Sequence, residues 1–320
     1  MHFRWTEGIV EASGQHGMPR SVVVVGGANI DIAGKALAPL VEFDSNPGQV
    51  SLSAGGVGRN IAHNLALLGE KVELISAFGD DENGAELARI CRRAGIGLDH
   101  ALAVEGQRTS TYLFIMDEAG EMRLAINDMA ILEMLTPELL ESRLPVMNAA
   151  AVCFIDTNLP AATLAWLADA LEVPVFCDPI SQAKAPRLIG NLSGIHTLKP
   201  NRWEAEILTG SPDPSLAAER LLDAGVEHVF ISLGAEGLLC ADKGAQVRLA
   251  QGPVEVANTT GAGDAMMAAL AWAHLEGMDV VQSGYAGLAA AAICVESTET
   301  VSPHMRVETL RARMDGIARL

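Results

Sequence analysis

Short runs of apolar residues alternate with segments of helical periodicity along most of the chain. The first run, Ser21–Val25, is almost wholly valine and ends in two glycines, which is typical of a strand buried on both faces. Later runs of this kind lie at 72–77, 152–155, 175–177, 197–198 and 229–232. Helices are predicted between them at 60–68, 161–171, 203–208 and 217–224. Strands that alternate with helices predict an α/β protein with a mostly parallel sheet covered on both faces.

Two segments interrupt this alternation. Residues 32–52 contain glycine, proline and short apolar pieces, and residues 108–127 contain a hairpin pattern with D-E-A-G-E as its turn. Both segments are predicted to form antiparallel strands beside the main sheet. Because right-handed crossovers bring the loops at the carboxyl ends of parallel strands to one edge, ligands usually bind there. We therefore expect the two segments to form a small lid over that edge.

Composition and charge narrow the class of protein. The chain of 320 residues has 22 Lys and Arg against 40 Asp and Glu, a net charge of −18, which argues against binding to a nucleic-acid backbone. Hydrophobic residues make up 49% and charged residues 19%, which excludes a disordered chain. No apolar run approaches the roughly 20 residues that span a bilayer, so no membrane association is expected.

The cysteines indicate the cellular compartment of the protein, and the N-terminal residues indicate where its domain begins. Five cysteines stand singly, without zinc-binding spacing, and predict reduced, buried thiols in a cytoplasmic protein. Residues 1–17 lack the apolar stretch of a secretory signal and are interpreted as an extension or a tag. Residues 18–320 are interpreted as one domain.

The strongest chemical signal is N-T-T-G-A-G-D-A at 258–265, which opens a long helical pattern. Gly261, Ala262 and Gly263 allow the backbone to approach a ligand, and their N–H groups at a helix N-terminus form an anion site. Asp264 follows and can accept the proton of an attacking hydroxyl, and an Asp at a helix N-terminus is expected to be ionised at neutral pH. The alternative is an ordinary tight turn, with Asp264 as a helix N-terminal acid.

A second glycine cluster, A-G-G-V-G-R-N-I-A at 54–62, also opens a helix. It differs from the dinucleotide fingerprint G-x-G-x-x-G and does not follow the first strand, which weakens an oxidoreductase interpretation. Backbone N–H groups and the Asn60 amide suit a neutral ligand with hydroxyls. Arg59 is a candidate anion ligand, but a solvent-facing helix arginine is the favoured interpretation.

Two further sites lie at predicted strand ends. Asp31, in N-I-D after the first strand, can accept two hydroxyl hydrogen bonds, as a sugar diol requires, although an Asx turn is the simpler interpretation. Asn201 and Glu204, in K-P-N-R-W-E, are three residues apart at a helix start, so their oxygens share one face and suit hydrated Mg²⁺. A helix-capping pair is the alternative for them.

In this order the motifs closely resemble the ribokinase-like (PfkB) family of sugar and nucleoside kinases, from Ser21 to near the end of the chain. The diagnostic stretches are A-G-G-V-G-R-N and N-T-T-G-A-G-D. Further stretches, including G-A-N-I-D-I-A-G, D-S-N-P-G and A-I-N-D-M, are most similar to family members that act on pseudouridine. The resemblance implies a ribokinase-like three-layer α/β sandwich with a small β-sheet lid. It also implies transfer of the ATP γ-phosphoryl group to the 5′-hydroxyl of the nucleoside.

Residue roles follow from the same resemblance. Asp264 matches the catalytic base, and residues 261–263 match the anion hole. Positions that match or are expected to contact the substrate are Asn29, Asp31, Gly55, Gly56, Val57, Gly58, Asn60, Thr111, Asn127 and Asn158. Positions expected at the nucleotide are Lys199, Asn201, Glu204, Ser232, Gly234 and Gly237, with Asn201 and Glu204 holding Mg²⁺ through water.

One departure from the family pattern concerns a monovalent cation. Many relatives have aspartate where this chain has Asn258, and a neutral amide binds K⁺ more weakly than a carboxylate does. A K⁺ site at Asn258 and Thr260 is therefore left open. Lid strands with an exposed apolar face often pair between subunits, so a homodimer is expected.

Two other functions remain open at this point. One is a kinase for ribose or another nucleoside. Free ribose would need only the Asp31 and Asn60 end of the pocket, whereas a C-nucleoside would also need groups of the lid that bond to a pyrimidine. The other is a catalytically silent nucleoside-binding sensor, which the intact Asp264 and G-A-G motif disfavour.

Overall fold

The structure is a computed structural model that describes residues 20–317. The extension predicted for residues 1–17 lies outside them. Elements are numbered in chain order. Eight strands form the larger sheet, in the spatial order β14-β13-β12-β11-β10-β9-β1-β4. These are β1 (Ser21–Val25), β4 (Lys71–Ile75), β9 (Val152–Asp156), β10 (Val175–Asp178), β11 (Thr197–Leu198), β12 (His228–Ser232), β13 (Leu238–Ala241) and β14 (Gln246–Leu249).

Six neighbouring strands of this sheet run parallel, and β13 and β14 continue it as an antiparallel edge. The mostly parallel sheet is as predicted from the sequence. The edge hairpin was not predicted. The run 72–77 was predicted as one strand, but β4 ends at Ile75, and β5 (Ala77–Gly79) pairs with β6 (Leu102–Val104) in a separate two-stranded sheet.

Helices cover both faces of the larger sheet. They are α1 (Val57–Leu67), α2 (Glu82–Arg93), α3 (Pro137–Leu140), α4 (Leu144–Asn148), α5 (Ala161–Ala170), α6 (Arg202–Thr209), α7 (Pro214–Asp223), α8 (Ala262–Leu275), α9 (Val280–Val295) and α10 (Val307–Ile317). Within β1, Val22 and Val24 pack into the core that contains α1, α8 and α9, whereas Val23 and Val25 pack into the core on the opposite face. A strand buried on both faces needs apolar side chains at every position, which explains the valine run.

A second sheet contains β2 (Asn29–Ala36), β3 (Gly48–Gly55), β7 (Thr111–Met116) and β8 (Met122–Asp128), in the order β3-β2-β7-β8. The two hairpins, β2–β3 and β7–β8, are antiparallel as expected, but the central pair, β2–β7, is parallel. Between β2 and β7 the chain contributes β4 to the larger sheet. No tight turn joins β2 to β7, so the two strands need not be antiparallel. The strands of the first segment begin earlier and end later than predicted, so Asn29, Asp31 and Gly55 lie within strands. The strands of the second segment begin later than predicted, at Thr111, and end at Asp128.

The second sheet has two different faces. Its register places Leu52, Ile32, Leu113 and Ile126 in one row on one face, and Val50 and Leu124 extend the same face. Leu52, Leu124 and Ile126 are each about 60% exposed, at 63%, 61% and 59%. The opposite face carries the row Ser53, Asp31, Tyr112 and Asn127. No helix among residues 20–317 is both long enough and apolar enough to cross a lipid bilayer.

Candidate active site

Asp264 lies in the first turn of α8 and is 9% exposed. Gly261 caps this helix with a φ of 87°, a conformation that favours glycine, and a Cβ there would collide with the backbone oxygen of Thr300. A side chain on Gly263 would approach the Lys199 ammonium to 3.4 Å. The start of this helix therefore carries a buried aspartate and lies close to a buried lysine.

The second glycine cluster meets the first at this point. Gly56 has a φ of 95° and comes so close to residues 27 and 28 that a Cβ would lie 2.6 Å from the Ala28 Cα. This close approach positions the start of α1 so that Asn60 Nδ2 donates to Asp264 Oδ2 at 2.7 Å. Two stretches that are distant in the chain thus converge on one cleft.

Asp31 lies in strand β2, not in the Asx turn that was the simpler interpretation. It accepts a hydrogen bond of 2.6 Å from Asn29 Nδ2, and a Cβ on Gly55 would contact its carboxylate. Burial raises the pKa of Asp31 above its ordinary value, while Asn29 and the Arg59 charge oppose the rise. Strand β3 places Gly55 opposite Asn29, which brings Asn29, Asp31 and Gly55 together at the start of the second sheet.

Thr111 and Asn127 behave differently. The register pairs Asn127 with Tyr112, and Tyr112 with Asp31, so these three residues share one face. Thr111 pairs with Ile30 on the other face, and its hydroxyl donates to the Thr109 carbonyl at 3.1 Å. The structure therefore does not bring Thr111 to the face of Asp31. Tyr112 was missed, although strand alternation beside Thr111 offered the signal.

Asn158 lies just beyond β9, and its side-chain oxygen accepts a hydrogen bond from Lys184. Asp156, at the end of β9, is fully buried and accepts hydrogen bonds from the backbone N–H groups of Gly27 at 2.8 Å and Gly58 at 3.0 Å. Sequence reasoning missed both Asp156 and Lys184. Asp156 thus ties the loop after β1 to the first turn of α1.

Lys199 is buried and forms an ion pair of 3.0 Å with Asp178 at the end of β10. Burial lowers the pKa of Lys199, but the charges of Asp178, Glu204 and Asp264 outweigh it and raise the value. The sequence predicted Lys199 near the nucleotide but gave no sign of its partner, because Asp178 ends β10 whereas Lys199 follows β11.

Asn201 and Glu204 form a complete capping box at the start of α6. Asn201 Oδ1 accepts from the N–H groups of Trp203 and Glu204, each at 2.9 Å. Both Glu204 oxygens accept from Asn201, one from the backbone N–H and one from the side-chain amide, each at 2.8 Å. The capping alternative is thus realised. Among residues 20–317, no group of three His, Cys, Asp or Glu side chains is arranged to hold a metal directly.

The loop 232–237 lies beside this helix start. Ser232 ends β12, pairs with Asn201 in an isolated bridge and donates its backbone N–H to the Pro200 carbonyl at 3.0 Å. Gly234 and Gly237 have positive φ values of 63° and 98°, which turn the chain back into β13. The predicted nucleotide residues 199–204 and 232–237 are therefore neighbours.

Asn258 precedes the glycine loop of α8. Its side-chain oxygen accepts the backbone N–H of Thr260 at 2.9 Å, and its side-chain nitrogen donates to the Thr298 carbonyl at 3.3 Å. The amide thus bonds both to its own loop and to the segment that follows α9, and its oxygen keeps a second lone pair beyond the one that accepts the Thr260 N–H.

The expectation that Asp264 is ionised at neutral pH is corrected by its surroundings. Burial, assisted by the negative charge of Asp178, raises the pKa of Asp264 to about 7, although the Asn60 hydrogen bond and the charges of Lys199 and Arg59 oppose it. The helix N-terminus therefore does not keep this group fully ionised at neutral pH, because the loss of hydration is the larger effect.

Arg59 is 4% exposed, so the expectation that its side chain faces solvent was wrong.

Comparisons with known proteins show that this chain is an ATP-dependent phosphotransferase with an alcohol group as acceptor. The family model for pfkB family carbohydrate kinases matches residues 19–306. The chain therefore belongs to the pfkB family of carbohydrate kinases.

Two curated relatives come from Escherichia coli. A pseudouridine kinase is 43% identical over 82% of this chain and 86% of its own length. An uncharacterised sugar kinase, YeiI, is 41% identical over 89% of this chain and 81% of its own length. A solved ribokinase of Arabidopsis thaliana, complexed with ribose and ATP, has a TM-score of 0.81 at 25% identity and covers 93% of this chain and 99% of its own. The ribokinase-like fold is confirmed, and ATP is the phosphoryl donor of the family.

Proposed function

We propose that the protein transfers the γ-phosphoryl group of ATP to the 5′-hydroxyl of pseudouridine, giving pseudouridine 5′-phosphate and ADP. The observation that carries this proposal is the direct contact of Asn60 with Asp264, beside the buried Arg59, whose charge acts on both Asp264 and Asp31. The 43% identity to a pseudouridine kinase supports the choice of nucleoside.

In this proposal Asp264 is the general base. Its carboxylate takes the proton of the 5′-hydroxyl as that oxygen forms a bond to the γ-phosphorus, and the bond from this phosphorus to the β–γ bridging oxygen breaks to release ADP. Phosphoryl transfer depends mainly on positioning and charge stabilisation. The backbone N–H groups of residues 261–263 supply the anion hole for the transferred group. A base with a pKa near 7 is well matched to neutral pH.

The ribose would bind between the second sheet and the start of α1. Asp31 accepts two sugar hydroxyls, Asn60 and the backbone of residues 55–58 bond to the ribose, and Asn29 and Asn158 complete the ring of polar groups. Tyr112 and Asn127 share the face of Asp31 and offer groups for the base. Closure of this second sheet as a lid would exclude water and limit ATP hydrolysis.

The nucleotide would lie along residues 199–204 and 232–237. Mg²⁺ bound with ATP neutralises charge on the phosphates, and Glu204 would hold it through water, since both its oxygens already accept hydrogen bonds from Asn201. Asn201 then acts mainly by fixing Glu204. K⁺ binding at Asn258 and Thr260 remains part of the proposal.

A kinase for ribose or another nucleoside is the second candidate, because YeiI is nearly as similar to this chain. Incubation with Mg-ATP and pseudouridine, uridine, adenosine, inosine or ribose, followed by measurement of ADP and phosphorylated product, separates the candidates. We expect turnover with pseudouridine. Turnover of ribose alone would exclude a nucleoside kinase, and binding without turnover would indicate a sensor. Rates in K⁺ and in a bulky organic cation test the cation site.

We also propose a homodimer that covers the apolar face of the second sheet, where Leu124 and Ile126 are exposed. A Leu124→Glu variant should shift the mass measured by light scattering from dimer to monomer.

The cytoplasm is the proposed location, since five free, buried cysteines suit a reducing compartment.

A further inference from the structure

Arg59 is a buried cation that the proposed reaction does not use directly. Its guanidinium donates to the Ala54 carbonyl, to Asn60 Oδ1 and, at 3.4 Å, to the Gly55 carbonyl. A third nitrogen lies 3.3 Å from His63 Nδ1. Arg59 thus connects the last residues of β3 to the first turn of α1, directly behind the Asn60 side chain.

The chemistry of these groups fixes the orientation of the Asn60 amide. A guanidinium can only donate hydrogen bonds, so the oxygen end of the amide must face Arg59. The nitrogen end then faces Asp264, to which it donates at 2.7 Å. The reversed amide would place its NH₂ group against the guanidinium and its oxygen against the carboxylate, losing both hydrogen bonds.

We propose that Arg59 is a positioning residue that locks the Asn60 amide in the orientation that donates to Asp264, and so sets the protonation of the base. This inference rests on the proposed function. The Asn60 hydrogen bond and the Arg59 charge both favour the ionised carboxylate and hold the pKa of Asp264 below the value that burial alone would give. Arg59 also favours the anionic form of Asp31. One buried cation thus acts on the carboxylates at both ends of the proposed acceptor site.

A lysine at this position tests the lock, because Arg59→Lys keeps the charge but loses the planar fork. The measurement is kcat/KM for pseudouridine against pH at saturating Mg-ATP. We expect the acid limb to move up by about one pH unit, with about a fivefold loss at pH 7 that disappears at alkaline pH. Structural damage would instead lower the rate at every pH.

A double-mutant cycle with Asn60→Ala separates the lock from a direct effect of charge. If Arg59 acts through the amide, Arg59→Lys moves the acid limb in the wild-type background but not in the Asn60→Ala background. Equal shifts in the two backgrounds, or no shift in either, overturn the inference. Arg59→Gln removes the charge, so the shift that it causes in the Asn60→Ala background measures the direct effect of the charge.

Two further variants complete the experiment. Arg143→Gln is a matched control, since Arg143 also donates to backbone carbonyls, those of His100 and Leu139, each at 2.7 Å. Its pH profile should equal that of the wild type. An active Asp264→Asn variant would overturn the base assignment and this inference together. An inactive Asp264→Asn variant with an unmoved acid limb in Arg59→Lys would overturn this inference alone. If the substrate panel selects another nucleoside, the same profiles are measured with that nucleoside.

Discussion

The side-chain amide of Asn60 donates to the carboxylate of Asp264 across 2.7 Å, and 204 positions of sequence separate the two residues. One residue stands at the start of α1 and the other at the start of α8, and the two helices pack against each other. The contact joins the proposed acceptor site to the proposed base. Substitutions at either residue should therefore lower the rate of the reaction more than they lower the stability of the fold.

Asp264→Asn should lower kcat by about 10²-fold or more, because the variant keeps the shape of the side chain but cannot accept the proton. Circular dichroism and thermal unfolding would verify that the variant folds. Asp279→Asn is the matched control, since Asp279 caps α9 and accepts the Gln282 N–H at 2.8 Å. Near-normal kcat in Asp264→Asn would remove Asp264 from its proposed role.

The same substitution should stabilise the protein at neutral pH. The pKa of Asp264 is raised from 3.8 to about 7 by burial, so between these values the folded state binds more protons than the unfolded state. The free energy of unfolding therefore falls as pH rises from about 4 to 7, by up to about 4 kcal/mol. The amide introduced by Asp264→Asn does not titrate in this range, so this variant should not lose stability in this way. The difference between the free energies of unfolding at pH 5 and pH 8, measured with urea, should be smaller for Asp264→Asn than for the wild type.

The three histidines at the opposite end of the fold predict sensitivity to acid. The His196 ring lies 4.7 Å from that of His228 and 4.6 Å from that of His274, and it stacks on Phe176. Burial, together with the two neighbouring histidines, lowers the pKa of His196 from 6.5 to about 4. The unfolded state then binds more protons between these values, so stability falls as pH drops from 6.5 to 4, by about 3 kcal/mol for this group.

His196→Gln should weaken that pH dependence, measured as the change in the urea midpoint between pH 7 and pH 4.5. The exposed His304 supplies the control, His304→Gln, which should reproduce the wild-type curve. Equal acid sensitivity in all three proteins would mean that His196 does not contribute to it.

The buried ion pair of Lys199 and Asp178 should behave as a unit. Lys199→Met alone, or Asp178→Leu alone, leaves an uncompensated buried charge and should destabilise the fold by about 3–5 kcal/mol. The double variant should be less destabilised than the sum of the two single variants, which a double-mutant cycle in urea measures. Arg89→Gln, which breaks an exposed pair with Glu86, should change stability little. Strict additivity of the buried pair would contradict this prediction.

Local chemistry explains what the sequence could predict. The four consecutive valines of β1 indicate burial on both faces, and the glycines that open α1 and α8 are needed where backbones approach closely. These features depend on neighbouring residues. The α/β fold and the position of Asp264 were therefore predictable.

Tertiary contacts explain what it could not predict. Arg59 was expected in solvent, because helical periodicity does not show that β3 and Asp264 surround its side chain. Asp156 and Lys184 take their partners from distant loops. Thr111 was chosen and Tyr112 was missed, because strand register is set by pairing across the sheet. The raised pKa of Asp264 depends on burial and on Asp178, which a helix-start argument leaves out.

The distance along the chain between Asn60 and Asp264 has a consequence for biosynthesis. Ribosomes release the N-terminal part of a protein first, and α8 leaves the exit tunnel only when most of the chain has been made. Until then the side of the cleft that bears Asn60 has no carboxylate opposite it. If Asp264 is the base, growing chains and fragments cut before α8 should therefore not transfer phosphate from ATP.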